Sequence, residues 1–231
     1  GSIVVYEDRE EMQRFYIAEK LQGRVKQLTV ANAVAEGVAT EAGLITTVGY
    51  HGGYSLADEL TLTIPAPESR LLLDPSGLAY NSKWGFLYIS EAGGHTIRCV
   101  DLGDSATPAT ISTIAGVLGE AGHSNIDNDA LASHLNTPMG LALLLSANES
   151  ATLYIAEKGS HIVRTLALNP AQPCYEQAQG GLEVYAGQAN IPGIVEDSGD
   201  FLDTYFYAPE ALALNAQGDL YVADTQNHRV R

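Results

Sequence analysis

The chain is poor in several kinds of residue, and each shortage excludes something. Only two cysteines, Cys99 and Cys174, occur in 231 residues. Two thiols make neither a disulfide framework nor a zinc-ligand spacing, and we expect them to be unbridged. Basic residues are scarce, 12 Lys and Arg against 28 Asp and Glu, for a formal net charge of −16. Such a surface repels phosphate backbones, and no basic stripe overrides it. Nucleic acid is therefore not expected as a partner, and anionic membrane surfaces are disfavoured. No apolar run reaches the roughly 18 to 20 residues that a membrane-spanning helix needs, so no membrane insertion is expected. Nor does any helical periodicity separate the apolar segments, which argues against βαβ units. No signal peptide is visible, Gly1-Ser2 looks like an expression scar, and the compartment stays open.

What is present is a repeat. LYVADTQNHRVR at Leu220–Arg231 is echoed by LYISEAGGHTIR at Leu87–Arg98 and LYIAEKGSHIVR at Leu153–Arg164. A worn copy, FYIAEKLQGRVK, lies at Phe15–Lys26. Tyr16, Tyr88, Tyr154 and Tyr221 step by 72, 66 and 67 residues. Upstream of three copies runs a short Pro-led apolar segment, Pro75–Tyr80, Pro138–Leu143 and Pro209–Leu214. Pro suits the first residue of a strand rather than its middle. Downstream, apolar runs close on glycine at Leu44–Gly49, Ile111–Gly116 and Leu182–Gly187. One unit is thus four short strands, A to D. Such units in series predict an all-β propeller of four-stranded antiparallel blades. The blades fall at about 1–49, 71–116, 138–187 and 209–231, the last incomplete.

Pro209–Leu214 with Gly218–Arg231 resembles the NHL-repeat family of β-propellers, whose blade core reads P-x-G-[IVL]-A-[VL] and G-[ND]-[IL]-Y-V-[AS]-D-[ST]-x-N-[HN]-R-[IV]-[RQ]. The chain departs at Gly23, where other copies have His, and at Ala211, where Gly is usual. The resemblance implies closure by about six blades, roughly 400 residues, so we expect a fragment or open arc. Bare blade faces are apolar, and edge-to-edge self-association is expected of them.

Periodic residues belong to the scaffold. His95, His161 and His228 begin strand C, two strand spacings of about 4.8 Å outside strand A, too far from the axis to share a zinc ion. We expect each to bond the turn acid or a backbone carbonyl. The turn acids Glu19, Glu91, Glu157 and Asp224 should accept turn N–H groups and pair with Lys26, Arg98, Arg164 and Arg231. Near the axis, the resemblance to the amidating lyase propeller, which holds zinc through histidines beside the strand-A proline, points to Ser76, Met139 and Glu210. None of these is a nitrogen ligand. Neither a catalytic residue nor a metal site is assigned.

Non-periodic residues are the better candidates for function. They collect in the long D–A loops, about Tyr50–Arg70, Val117–Thr137 and Gln188–Ala208. Strands alternate in direction, so the D–A loops and B–C turns emerge on one propeller face, with all six histidines. Tyr50, His51, Tyr54, His123, Asp127, Asp129, Asp197, Asp200 and Tyr205 are the candidates for partner contact. Tyr is favoured at interfaces. The acids could begin a calcium site at Asp127–Asp129 or Asp197–Asp200, but short spacings supply few of the six to eight oxygens required. The expected function is a non-enzymatic scaffold that binds a protein or peptide on an acidic, loop-rich face. The alternatives are a hydrolase or lyase-like propeller enzyme with an axial site, and an architectural segment of a larger protein.

Overall fold

A computed structural model of the chain describes residues 3–7, 12–20, 23–35, 38–50, 60–61, 72–102, 110–126, 128–146, 150–194 and 199–231. Side chains are described at 15–20, 23–26 and within those ranges from 72 onward. The first sheet runs in chain order through β1 (Ile3–Glu7), β2 (Met12–Glu19), β3 (Arg24–Ala35) and β4 (Val38–Tyr50), with β5 (Leu60–Thr61) added parallel to β4. Blade 2 is β6 (Pro75–Asn81), β7 (Phe86–Glu91), β8 (Thr96–Asp101) and β9 (Thr110–Ala115). Blade 3 is β10 (Pro138–Leu145), β11 (Ala151–Glu157), β12 (Ile162–Leu168) and β13 (Ala178–Ala186). Blade 4 supplies β14 (Pro209–Leu214), β15 (Leu220–Asp224) and β16 (Arg229–Val230). Within each blade neighbouring strands pair antiparallel in sequence order, as expected for propeller blades.

The blades stack because their strands are apolar on both faces. Alternate side chains of one strand point to opposite sides of its sheet. In blade 3, Leu141, Leu153, Ile155 and Leu166 face blade 2, where they meet Ala79, Tyr88 and Ile97. Ala142, Tyr154 and Val163 face the other way and meet Leu212 and Val222 of blade 4. Each such side chain contributes about 1.5–3 kcal/mol when fully buried. Strand A of one blade also packs against strand A of the next, β6 on β10 and β10 on β14. There the approach is so close that only glycine fits. A Cβ on Gly77 would lie 2.0 Å from the Met139 carbonyl oxygen, and one on Gly140 2.7 Å from the Ala211 Cα.

One expectation fails outright. Cys99 and Cys174 are bonded, with Cα atoms 5.5 Å apart and a sequence separation of 75. Cys99 lies on β8 of blade 2, and Cys174 opens the short helical turn Cys174–Glu176 between β12 and β13 of blade 3. That connection folds back over the preceding blade, which brings the two thiols together. Gln177, buried beside it, accepts the Tyr88 hydroxyl at 2.6 Å.

Candidate functional site

The descent into strand A is held by a backbone N–H group at blade 2 and by two consecutive ones at blades 3 and 4. The first lies two residues before the proline and goes to the turn acid of its own blade. Leu73 donates to Glu91 at 2.7 Å, Asn136 to Glu157 at 3.0 Å, and Tyr207 to Asp224 at 2.7 Å. The second lies directly before the proline and goes to the histidine of the preceding blade. Thr137 donates to His95 Nδ1 and Ala208 to His161 Nδ1, each at 3.1 Å. The expected partner of these histidines was a turn acid or a carbonyl; the observed one is a backbone donor across the blade junction. An N–H carries no residue signature, so the sequence could not announce it.

The geometry is demanding. Thr137 and Ala208 have φ of 53° and 52°, left-handed residues placed directly before Pro138 and Pro209. Such conformations cost about 1–3 kcal/mol outside glycine and persist only when their surroundings enforce them. His95 and His161 are left-handed too, at φ 56° and 60°, and so is Gly23 in the first copy, at 58°. The departure at Gly23 therefore preserves the backbone and removes the side-chain acceptor.

The acids find basic partners, but not always the expected ones. Glu91 pairs with Arg98 and Glu157 with Arg164, both at 3.2 Å and deeply buried. Glu19 pairs instead with Arg24, and Asp224 with Arg229 at 3.2 Å, five residues on rather than seven. Adjacent strand residues face opposite sides, and the two positions five and seven residues on share a face, so either can reach the turn. Burial pushes the Glu157 carboxyl above the usual range, while Arg164 and the Asn136 N–H pull it back. Arg164 also donates to the carbonyls of Ser124, His134 and Leu182 at 2.7–3.0 Å, tying the D–A loop to its blade. Arg231 makes the matching bond to the Tyr205 carbonyl at 3.0 Å.

That match extends along both described D–A loops. Gly116 donates to the Ala130 carbonyl and Gly187 to that of Phe201; Gly122 donates to Leu135 and Gly193 to Phe206. Asp129 Oδ1 accepts from Leu131 N–H and Asp200 Oδ1 from Leu202 N–H, both at 2.9 Å. The hydroxyls of Ser133 and Thr204 donate to the carbonyls of Asp129 and Asp200. Asp129 and Asp200 were singled out as non-periodic, yet they occupy one position of a repeated loop. The legible trace was D-x-L-x-[ST] at Asp129–Ser133 and Asp200–Thr204, obscured by unlike residues between.

Side chains exposed on this face are more apolar than its acidity suggested. Of twelve large hydrophobic residues exposed among the described ones, eight lie on the two loops. Leu118, Ile126 and Leu131 stand on the first, and Ile191, Ile194, Phe201, Leu202 and Tyr207 on the second. Leu131 and Leu202, at equivalent positions, are 46% and 49% exposed. Tyr205 is half-buried, its Cβ against Gly193. His134 lies 3.0 Å from Glu120, and burial together with Arg164 lowers the His123 imidazole. His51, Tyr54, Asp127 and Asp197 lie outside the described residues, and of Tyr50 only the backbone, closing β4, is described. Among the described residues no three His, Cys, Asp or Glu side chains gather as a metal site. Nearer the axis, Ser76 donates to the Asp74 carbonyl, Glu210 pairs with Lys158 at 2.6 Å, and the Met139 carbonyl accepts from Ser90.

Four-stranded antiparallel sheets stacked face to face through their A strands are the blades of a β-propeller, and that is the class of this chain. Residues 206–231 match the family model described as NHL repeat. The chain is similar to NHL repeat-containing protein 2 of Bos taurus, 24% identical over 71% of this chain and 21% of that protein. It therefore spans about a fifth of the length of the curated relatives it matches. In fold it resembles auxiliary nutrient binding proteins from Bacteroides thetaiotaomicron VPI-5482 and Bacteroides ovatus ATCC 8483. The TM-scores are 0.57 and 0.54, at 14% and 16% identity. These likenesses cover 96% and 94% of this chain, and 44% of each of the others.

Proposed function

We propose that the chain is a non-enzymatic protein-binding module, and that its loop-bearing face receives a protein or peptide partner carrying apolar side chains beside basic ones. The observation that carries this reading is the pair of exposed leucines, Leu131 and Leu202, each two residues beyond an exposed carboxylate, Asp129 or Asp200, in loops with the same internal hydrogen bonds. A preorganised loop loses little entropy on binding, and an apolar knob beside a charge gives both contact area and orientation. The chain's net charge of −16 favours encounter with a basic partner.

The test is selection of a displayed peptide library on the 231-residue chain. Enriched peptides should combine Lys or Arg with large apolar residues. The paired substitution Leu131→Ser and Leu202→Ser should weaken them by about tenfold or more. Asp129→Asn with Asp200→Asn keeps the oxygen that accepts each turn N–H and should weaken them less. Selected peptides that bind all variants as well as the parent chain would overturn this assignment.

A further inference from the structure

The histidines at the start of strand C form a device that does not depend on the partner-binding reading. An imidazole accepts a hydrogen bond at Nδ1 only while neutral and protonated on Nε2; imidazolium has no acceptor. His95 Nδ1 accepts the Thr137 N–H, and His161 Nδ1 the Ala208 N–H, across successive blade junctions. We propose that these two junctions are acid-released latches: protonation of His95 and His161 sets one N–H against another and frees the left-handed residue that leads into the next blade.

Three observations converge on this. The latched residues, Thr137 and Ala208, are held in a left-handed conformation directly before a proline. When the acceptor is withdrawn, the restraint on that conformation goes with it. The carboxylates of the adjoining turns, which could otherwise hold an imidazolium in place, are already engaged. Glu91 is bound to Arg98, Thr96 and the Leu73 N–H, and Glu157 to Arg164 and the Asn136 N–H. Finally, the junction of blades 1 and 2 is a control within the chain. Asp74 is left-handed before Pro75, as the others are, but Gly23 stands where the histidine would be.

The elements meeting at the His95 latch carry Asp74, Glu91, Arg98, Asp101, Glu120, His123, Asp129, His134, Glu157 and Lys158 as other charged or titratable residues. Those meeting at His161 carry Glu157, Lys158, Arg164, Asp200, Asp203, Tyr205, Tyr207, Glu210, Asp224 and Arg229. None of them counts among the causes that set the two imidazoles, which burial alone lowers from the ordinary value. A lowered value in the folded chain fixes the sign. The latch is at full strength above the ordinary imidazole pKa and is lost as pH falls towards the lowered value. Within that window its opening should grow by up to about tenfold per pH unit.

Amide hydrogen exchange on the intact chain tests this, with rates corrected for the intrinsic pH dependence. Protection of the Thr137 and Ala208 amides should fall between pH 7.5 and pH 5, while the Asp74 amide holds steady. Asn tolerates left-handed φ, and its Oδ1 is placed like Nδ1, so His95→Asn with His161→Asn should retain the latch without titrating. In that variant the acid-induced loss should disappear. Protection in the parent chain that is indifferent to pH would overturn the proposal, and so would an acid response unchanged by the double substitution.

Discussion

Blades 2 and 3 are joined by a disulfide, by the Tyr88–Gln177 bond and by Ser90, which accepts the Gly77 N–H at 2.7 Å and donates across the junction to Met139. Blades 3 and 4 share the histidine latch and the glycine approach but have none of these three. Ala156 stands where blade 2 has Ser90. Between β13 and β15 lies a cavity of about 390 Å³, walled by Tyr185, Phe201, Phe206, Leu220, Val222 and Arg231. At the earlier junction the corresponding region is filled, by Leu166, Leu168 and Leu182 packed with Ile114, Ala130 and Leu135. The repeat thus specifies where blades touch, and residues outside the repeat decide how firmly they are held. Propellers stack quasi-one-dimensionally, so one junction can be strengthened without altering the next.

The largest effect should come from the disulfide. Closing 75 residues removes chain entropy from the unfolded state worth about 4.5 kcal/mol in the loop-closure treatment. Urea unfolding with and without reductant should show a drop of that order, and hydrogen exchange should place the loss in blades 2 and 3. A midpoint unmoved by complete reduction would mean that packing and hydrogen bonds hold this junction without help from the disulfide.

Next comes the buried ion pair. Arg164 and Glu157 are both fully buried, so Arg164→Met strands a carboxylate and should cost about 3–5 kcal/mol. At the other blade Asp224 is equally buried but also accepts from the Tyr207 N–H and Asn227, and the Arg229 side chain is 30% exposed, so Arg229→Met should cost less, about 1.5–3 kcal/mol. Thermal unfolding of the two variants measures the difference directly. Equal losses would show that the outer blade is as tightly packed around its acid as the inner one.

How far the sequence disclosed these features depended on whether the information was periodic. Tyr88, Tyr154 and Tyr221 marked the strands, and Glu91–Arg98 and Glu157–Arg164 followed from their fixed spacing. The disulfide did not, because spacing within one unit says nothing about a connection that folds back onto the previous unit. Asn169–Gln177 carries no mark of that path except Cys174 itself. Asp129 and Asp200 were misjudged for the opposite reason. Their loops repeat in hydrogen bonding while most of their side chains differ, and two matching glycines with a D-x-L-x-[ST] trace are easily lost among twenty unlike residues. At the histidines the residue type was visible, but a backbone N–H partner leaves nothing in the sequence to pair it with.

The smallest expected effect separates the junctions most cleanly, because nature has already made half of the substitution. Ser90 is fully buried and bridges two blades through one hydroxyl. Ser90→Ala strands the Gly77 N–H and removes a donor from Met139, at a cost of about 1–2 kcal/mol. Ala156 occupies the same register in blade 3, equally buried, on a strand that contacts β14 of the next blade. The reverse change, Ala156→Ser, should therefore gain nothing unless its hydroxyl finds the Gly140 N–H as Ser90 finds that of Gly77. Chemical unfolding of both variants decides between two accounts of the asymmetry. If Ser90→Ala is costly and Ala156→Ser neutral, the bridge belongs to the close approach at Gly77, where a Cβ would sit only 2.0 Å from the facing carbonyl. If both changes are neutral, the hydroxyl is incidental and the disulfide, the Tyr88–Gln177 bond and the packing distinguish the two junctions.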